Sequence, residues 1–233
     1  MLKKNKINSL KLIQYYKLIN YNLIYNNKAI NRYNKDNYEI SEDKSKRLEL
    51  LKKSITSLKN CNLKKNAKNI VFSDGNPKSK IMLIGEAPGA NEDQEGLPFV
   101  GRAGQLLDKM LSAINLDRKK VYISNIINYR PPDNRRPSEE EIKKYLPFIL
   151  KHIEIIQPKI LVLLGSTAMN ALIGKDVVIS KIRGKWIEKD FGSCKTSVII
   201  TFHPAFLMRQ PAQKKMSRID LKMIRDKKTN LKI

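Results

Sequence analysis

The chain has 233 residues, 41% of them hydrophobic and 29% charged, which is enough apolar sequence to bury the core of one main domain. Lys and Arg total 46 against 22 Asp and Glu, and the formal net charge is +24. This excess excludes an acidic, self-solvating chain and indicates a polyanionic partner, although AT-rich codons also enrich a chain in Lys, Asn and Ile.

Cysteine content and hydropathy limit where the protein can work. The two cysteines, Cys61 and Cys194, are too few for a disulfide framework or for a metal site made of thiolates alone. No apolar run reaches the roughly 18 residues that a membrane span requires, and the basic N-terminus lacks the continuous apolar segment of a signal peptide. We expect a cytoplasmic monomer without a membrane partner.

The N-terminal part differs in composition from the rest. Residues 1–45 are rich in Asn, Lys, Tyr and Ile and form a biased extension, whereas residues 46–233 form the main domain. Apolar spacing allows an amphipathic helix near Leu10–Ile24, with a poorly ordered segment as the equal alternative. A second helical pattern from Ser45 to Leu58 leads into the main domain.

Strand and helix patterns alternate after the turn signal at Asp74–Pro77. The predicted strands are Ile81–Ile84, Val121–Ile127, Ile160–Leu164 and Ser197–Thr201. The predicted helices are Arg102–Ile114, Ser138–Ile156, Ser166–Ile173 and Lys214–Lys228. This alternation predicts the α/β class, with a parallel sheet covered by helices on both faces.

Polar residues follow the predicted strands, where ligands bind in such folds, beyond the carboxyl ends. These positions hold Gly85–Gly89, Asn125–Arg136, Gly165–Ser166 and His203–Pro204. We therefore expect a carboxylate, an asparagine, arginines and a histidine to meet at one edge of the sheet. The other histidine, His152, is interpreted as a packed helix residue.

Several motifs resemble those of the family 4 uracil-DNA glycosylases, between about Cys61 and Asp226. Their order and spacing make the match specific. The matching strings are GEAPG at 85–89 followed by Glu92-Asp93, PFVGRAGQLL at 98–107, Asn125, RPPDNR at 130–135 and HPAFL at 203–207.

The resemblance implies a three-layer αβα sandwich with a central four-stranded parallel sheet, and hydrolysis of the N-glycosidic bond of uracil in DNA. A base inside a duplex hides that bond, so the nucleotide must be extruded into a pocket. By resemblance, the base stacks on Phe99, its edge is read by Asn125, and His203 donates to the uracil oxygen that gains charge.

The carboxylates of the resembling motifs are Glu86 and Glu92, placed near the attacking water. Ala87, at a position where other branches of the superfamily have Asp, is grouped with Gly85 and Asn134 as substrate-binding residues. Glu86 could instead be a cap or turn carboxylate, and Asn134 a turn residue.

Basic and apolar residues near these motifs are expected to contact DNA. Arg102, Arg130, Arg135 and Arg209 are predicted to bind the phosphate backbone without reading sequence. The basic segments Arg118–Arg136 and Arg209–Ile233 support this, with a solvated helix face as the alternative for the second. Phe206 and Leu207 are placed to enter the gap left by a flipped base, or to pack against the last helix.

The family's metal site is where the sequence departs from the resemblance. Members hold a four-iron, four-sulfur cluster on four cysteines. The matching positions here are Leu58, Cys61, Tyr129 and Tyr145. We expect a variant without a cluster or other metal, in which the tyrosines and apolar neighbours fill the space.

Two other functions stay open at this point. A related glycosylase could accept other deaminated bases, and a superfamily member could bind DNA with altered or lost catalysis. The intact Glu86, Phe99, Asn125 and His203 favour a uracil-DNA glycosylase whose partner is uracil-containing DNA.

Overall fold

The computed structural model describes residues 44–175 and 178–233. The predicted helix near Leu10–Ile24 and almost all of the predicted extension lie outside these residues. Within the described ranges, no helix is long and apolar enough to cross a membrane.

Helices and strands alternate along the described chain, as predicted. The strands are β1 (Asp74–Gly75), β2 (Ile81–Gly85), β3 (Tyr122–Asn125), β4 (Ile160–Leu164), β5 (Trp186–Phe191) and β6 (Cys194–Thr201). The α-helices are α1 (Lys44–Thr56), α2 (Asn62–Asn66), α3 (Ala90–Glu95), α4 (Arg102–Ser112), α5 (Glu139–Ile156), α6 (Ser166–Leu172), α7 (Ile179–Ile182), α8 (Pro204–Arg209) and α9 (Lys214–Asn230).

A single mixed sheet has the order β1-β3-β2-β4-β6-β5. The four inner strands are parallel, and an antiparallel strand lies at each edge. The α/β prediction with four parallel strands is confirmed, and the two edge strands extend the sheet to six. Neither edge strand was predicted, because β1 is two residues long and β5 has three consecutive charged residues, Glu188 to Asp190, at a half-exposed edge.

The inner strands are apolar because helices cover both of their sides. Every residue of β2 and β4 is buried, which is typical of parallel strands between two helical layers. Met82 and Ile84 pack in one hydrophobic cluster with residues of α1, α5 and α6. Ile81 and Leu83 pack in the opposite cluster with residues of α4, α8 and α9.

A local signal explains where α5 begins. In α5, the Ser138 hydroxyl accepts from the Glu141 N–H at 3.2 Å, and the Glu141 carboxylate accepts from the Ser138 N–H at 2.7 Å. This capping box satisfies two N–H groups that a helix start leaves unpaired. The helix ends at Gln157, which has a left-handed backbone.

The parallel registers bring the carboxyl ends of the inner strands to one edge of the sheet. Gly85 pairs with Asn125, and Leu164 pairs with Thr201. The loops that leave these four residues therefore start side by side, as the sequence predicted.

Candidate active site

A pocket of about 180 Å³ opens at this edge. It is lined by segments that are far apart in the chain and that the parallel strands bring together. Its walls are Glu86, Ala87, Pro88, Gly89, Glu92, Phe99, Ala103, Asn125, Pro131, Asn134, Arg135, His203 and Ala205.

Asn125, the last residue of β3, presents an amide without a partner for its oxygen. The residue is 2% exposed, and its Oδ1 accepts no hydrogen bond from any residue that the structure describes. A buried polar atom left unpaired costs roughly 1–3 kcal/mol. An unpaired acceptor in a pocket wall indicates that a ligand donates to it.

Phe99 forms an aromatic wall of the pocket. The residue is buried and has a left-handed backbone, with φ of 57°. Its ring centroid lies 5.6 Å from that of His203 at an interplanar angle of 31°. Gly85 makes room for the ring, because a Cβ at Gly85 would lie 2.5 Å from Phe99 Cζ and 2.4 Å from Asn125 Oδ1.

His203 precedes α8 and caps its first turn. Its Nδ1 accepts from the Ala205 N–H at 3.2 Å. Burial lowers the pKa of His203 to about 4, and Arg209 adds to this effect while Glu92 opposes it. The ring is therefore neutral at pH 7, and its proton is on Nε2, the nitrogen available as a donor.

Glu86 follows β2 and is only partly buried. Its Oε2 accepts from the hydroxyl of Thr167 in α6. Thr167, itself 9% exposed, fixes the orientation of the carboxylate. Glu86 thus lies on the pocket wall with its second oxygen, Oε1, free of any protein partner that the structure records.

Glu92 in α3 uses both carboxylate oxygens to hold the backbone. Its Oε2 accepts from the Gly89 N–H at 3.1 Å, and its Oε1 accepts from the Gly101 N–H at 2.8 Å. The first bond is half of a capping box for α3. Glu92 therefore connects the loop after β2 to the loop that carries Phe99.

Two of the predicted DNA-contacting arginines are already bonded to neighbours at the pocket rim. Arg130 Nε donates to Asn134 Oδ1 at 2.8 Å, and Asn134 has a left-handed backbone typical of a turn. Arg135 forms two parallel bonds to the Glu141 carboxylate, at 2.7 and 2.8 Å. Asn134 and Arg135 both line the pocket.

The other two predicted arginines are exposed. Arg209 lines a neighbouring pocket of about 610 Å³, which shares Glu86 and His203 with the first. Arg102 starts α4 and lines neither pocket.

Of the two apolar residues predicted to enter the duplex, only Phe206 lies on a pocket surface. It is half-buried and lines the neighbouring pocket, and its ring centroid lies 4.9 Å from that of Phe202. Leu207 is 1% exposed and lies in the hydrophobic cluster that includes Leu221 and Ile224 of α9. Leu207 therefore packs against the last helix in this structure, as the alternative interpretation expected, and its role towards DNA stays a prediction.

The four positions that match the family's cluster ligands lie in one hydrophobic cluster. Cys61, Tyr129 and Tyr145 are buried in it, and Leu58 packs against it. Cys61 Sγ lies 3.2 Å from the Tyr145 hydroxyl. Burial raises the pKa of both Tyr129 and Tyr145, and the neighbouring Cys61 adds to the effect.

This set of side chains does not fit a cluster that needs four thiolates, because it offers one. In residues 44–175 and 178–233, no group of three or more His, Cys, Asp or Glu side chains could hold a metal ion.

Sequence reasoning missed two residues that hold the site. Thr167 lies two residues after Gly165, in a segment already expected at the rim, so its position was a usable signal. Arg118 was counted among the surface cations of a basic segment. It is instead bonded to Asp74, Asp108 and the backbone next to Phe99.

Comparison with known proteins gives consistent matches. Residues 72–225 match the family described as "Uracil DNA glycosylase superfamily". The chain is 41% identical to a "Type-4 uracil-DNA glycosylase" of Sulfurisphaera tokodaii, over 77% of this chain and 84% of that protein. It is 40% identical to a protein of the same description from Thermotoga maritima, over 79% and 95%.

Proposed function

Since the chain belongs to the uracil DNA glycosylase superfamily, we propose that it is a repair glycosylase that excises uracil from DNA. It hydrolyses the N-glycosidic bond and leaves an abasic site in base-excision repair. The observation that carries the proposal is the buried, unpaired Oδ1 of Asn125 beside the Phe99 ring.

The Asn125 amide is suited to the edge of uracil. Its Oδ1 accepts from the uracil N3–H, and its NH₂ donates to uracil O4. Cytosine presents an acceptor and an amine at these positions, so both hydrogen bonds would face the wrong group. The base reaches this amide by extrusion from the helix and stacks on Phe99.

His203 stabilises the leaving base. When the glycosidic bond breaks, negative charge develops on uracil, and Nε2–H of the neutral His203 donates to the oxygen that gains it. The bond from the Ala205 N–H to Nδ1 supports this assignment, because it leaves the proton on Nε2. A preorganised donor of this kind contributes about 3–4 kcal/mol to the transition state.

Glu86 is the carboxylate that we place beside the sugar and the attacking water. Both oxygens of Glu92 already accept backbone N–H groups, whereas Glu86 has one oxygen bonded to Thr167 and one without a recorded partner. A carboxylate there stabilises the positive charge of the oxocarbenium-like sugar. Glu92 acts as a positioning residue that fixes the two loops.

Binding to DNA rests on the phosphate backbone. Arg102, Arg130, Arg135 and Arg209 supply positive charge around the pocket, and Gly85, Ala87 and Asn134 shape its wall. Phe206 is the apolar residue that we place next to the gap in the duplex. We also propose that the protein acts as a monomer in the cytoplasm, and the two unpaired cysteines support a reducing compartment.

We further infer that this glycosylase works without the iron–sulfur cluster of its family. The support is the burial of Cys61, Tyr129 and Tyr145 in one hydrophobic cluster, in which Cys61 contacts the Tyr145 hydroxyl. The catalytic residues proposed above lie in other segments, so no step of the reaction depends on the cluster.

The test is uracil release from single- and double-stranded oligonucleotides, with abasic sites cleaved by alkali. We expect release by the wild type and a loss of about 100-fold or more in Asn125→Asp, since a carboxylate cannot donate to O4. The matched control is Asn115→Asp, the same change at an exposed position outside the pocket.

Three results would contradict the proposal or narrow it. An inactive wild type that still binds DNA would indicate a non-catalytic DNA-binding protein. Release of hypoxanthine or xanthine at the uracil rate would indicate a glycosylase of wider range. An Asn125→Asp variant with unchanged uracil release and unchanged rejection of cytosine would remove Asn125 from the site.

A further inference from the structure

Arg118 is the most fully bonded cation next to the pocket. It opens a short 3₁₀ turn between α4 and β3, and its side chain is 25% exposed. Nε donates to Asp108 at 2.8 Å, and one terminal nitrogen donates to Asp74 at 2.7 Å and to the Pro98 carbonyl at 3.1 Å. The other terminal nitrogen donates to the Phe99 carbonyl and, at 3.4 Å, to Asp108.

These bonds use all five N–H donors of the guanidinium. The group is therefore committed to the protein and has no donor left for a phosphate. Lys could not replace it, because an ammonium has three donors and lacks the planar fork.

The backbone that Arg118 holds is a strained one. Phe99 has φ of 57°, a left-handed conformation that is unfavourable for a residue with a bulky side chain. Its carbonyl lies against Gly104 of α4, where a Cβ would approach within 1.6 Å. Such a conformation persists only where surrounding groups enforce it, and Arg118 binds this same carbonyl.

We propose that Arg118 is a positioning residue for the Phe99 platform, held by Asp74 of β1 and Asp108 of α4. The proposal rests on the proposed function in that Phe99 stacks the extruded base. Arg118 fixes the carbonyls of Pro98 and Phe99, so that the ring stays beside Asn125 and His203. Loss of Arg118 lets the loop relax and weakens stacking, without changing contacts to the DNA backbone.

The first experiment is a double-mutant cycle on the full chain. We expect Arg118→Lys to lower the single-turnover rate of uracil release at least tenfold, and less than threefold in a Phe99→Ala background. Affinity for undamaged DNA and its dependence on salt should stay unchanged. In Arg118→Ala, millimolar guanidinium should restore part of the rate, and equal concentrations of ammonium should not.

The second experiment does not depend on activity. Hydrogen exchange at the amides of Phe99, Val100 and Gly101 should be faster in Arg118→Lys, while that of β4 is unchanged. Ile153→Val, a conservative core change on the opposite face of the sheet, should alter neither these amides nor the rate. Asp108→Asn should reproduce the exchange effect of Arg118→Lys.

Different failures point to different errors. Additive effects of Arg118→Lys and Phe99→Ala, unchanged exchange at 99–101, or a reduced salt dependence of DNA binding would each overturn the role of Arg118. A wild type that releases no uracil would overturn the proposed function alone, and faster exchange would still support Arg118 as the residue that positions Phe99.

Discussion

Removing the aromatic ring of Tyr145 tests whether side-chain packing has replaced the metal cluster. Tyr145 is fully buried, and Tyr129 and Cys61 are 4% and 5% exposed. Truncation of a buried aromatic residue to Ala costs about 3–5 kcal/mol. For a chain of this size each kcal/mol lowers Tm by roughly 2–4 °C, so Tyr145→Ala should lower Tm by about 10 °C.

The variant that carries both Tyr129→Ala and Tyr145→Ala should retain little of its free energy of unfolding. Tyr129 and Tyr145 share Cys61 as a neighbour, so their costs do not add fully. Even so, the combined cost of the two substitutions is a large part of the roughly 5–15 kcal/mol by which a domain is stable. Urea unfolding followed by circular dichroism measures this loss, and uracil release at low temperature shows whether the pocket is retained.

Two variants serve as controls for this measurement. Tyr145→Phe removes only the hydroxyl bonded to Cys61 and should cost about 1 kcal/mol. Leu50→Ala changes an exposed side chain and should stay within about 0.5 kcal/mol of wild type.

A Tyr145→Ala variant that unfolds at the same urea concentration as Leu50→Ala would contradict the packing role of the tyrosine. A purified wild type that is coloured and contains roughly four irons per chain, the content of a complete cluster, would contradict the absence of the cluster. We expect colourless protein, without stoichiometric iron, whose activity survives a chelator.

Three further predictions follow from the pocket and its surroundings. Because the pKa of His203 is lowered to about 4, its neutral form should persist and uracil release should show no inflection near pH 6.5. The contribution of neutral His203 to the free energy of unfolding is fully present above about pH 6.5 and is lost as the pH falls towards 4. A rate that falls through pH 6.5 in wild type but not in His203→Gln would contradict this. Gly85→Ala should reduce uracil release at least tenfold with the fold retained, because the new Cβ would lie 2.4 Å from Asn125 Oδ1; wild-type kinetics would show that the wall is adaptable. Affinity for undamaged DNA should fall at least tenfold between about 50 and 200 mM salt, as measured by fluorescence anisotropy, since the contacts are to phosphates; a flat response would remove the arginines from the interface.

The regular part of the fold was predictable because local signals agree with the tertiary structure. The apolar runs of β2 and β4 and the Ser138 cap of α5 place these elements within a residue of their observed bounds. β5 could not be predicted from its charged residues, because an edge strand with one solvent-exposed face lacks a continuous apolar run.

The pocket could be predicted in outline, since the residues after parallel strands must meet at one edge. The bonds that hold it could not. Thr167 contacts a carboxylate 81 residues away, and Arg118 reaches an aspartate 44 residues away. In the sequence Arg118 is one cation of a basic segment, because its partners Asp74 and Asp108 come next to it only in the folded chain.

The sheet has an additional consequence for how this protein can vary. Tyr129, Tyr145 and Cys61 lie in the cluster on one face, whereas Phe99 and the α4 side chains behind it lie in the cluster on the other. The sheet lies between these two hydrophobic clusters and separates them. In the cluster-free state proposed above, cysteine ligands have been exchanged for phenol rings on one side of the sheet and the dependence on iron supply has ended, while the Phe99 ring on the other side keeps its place.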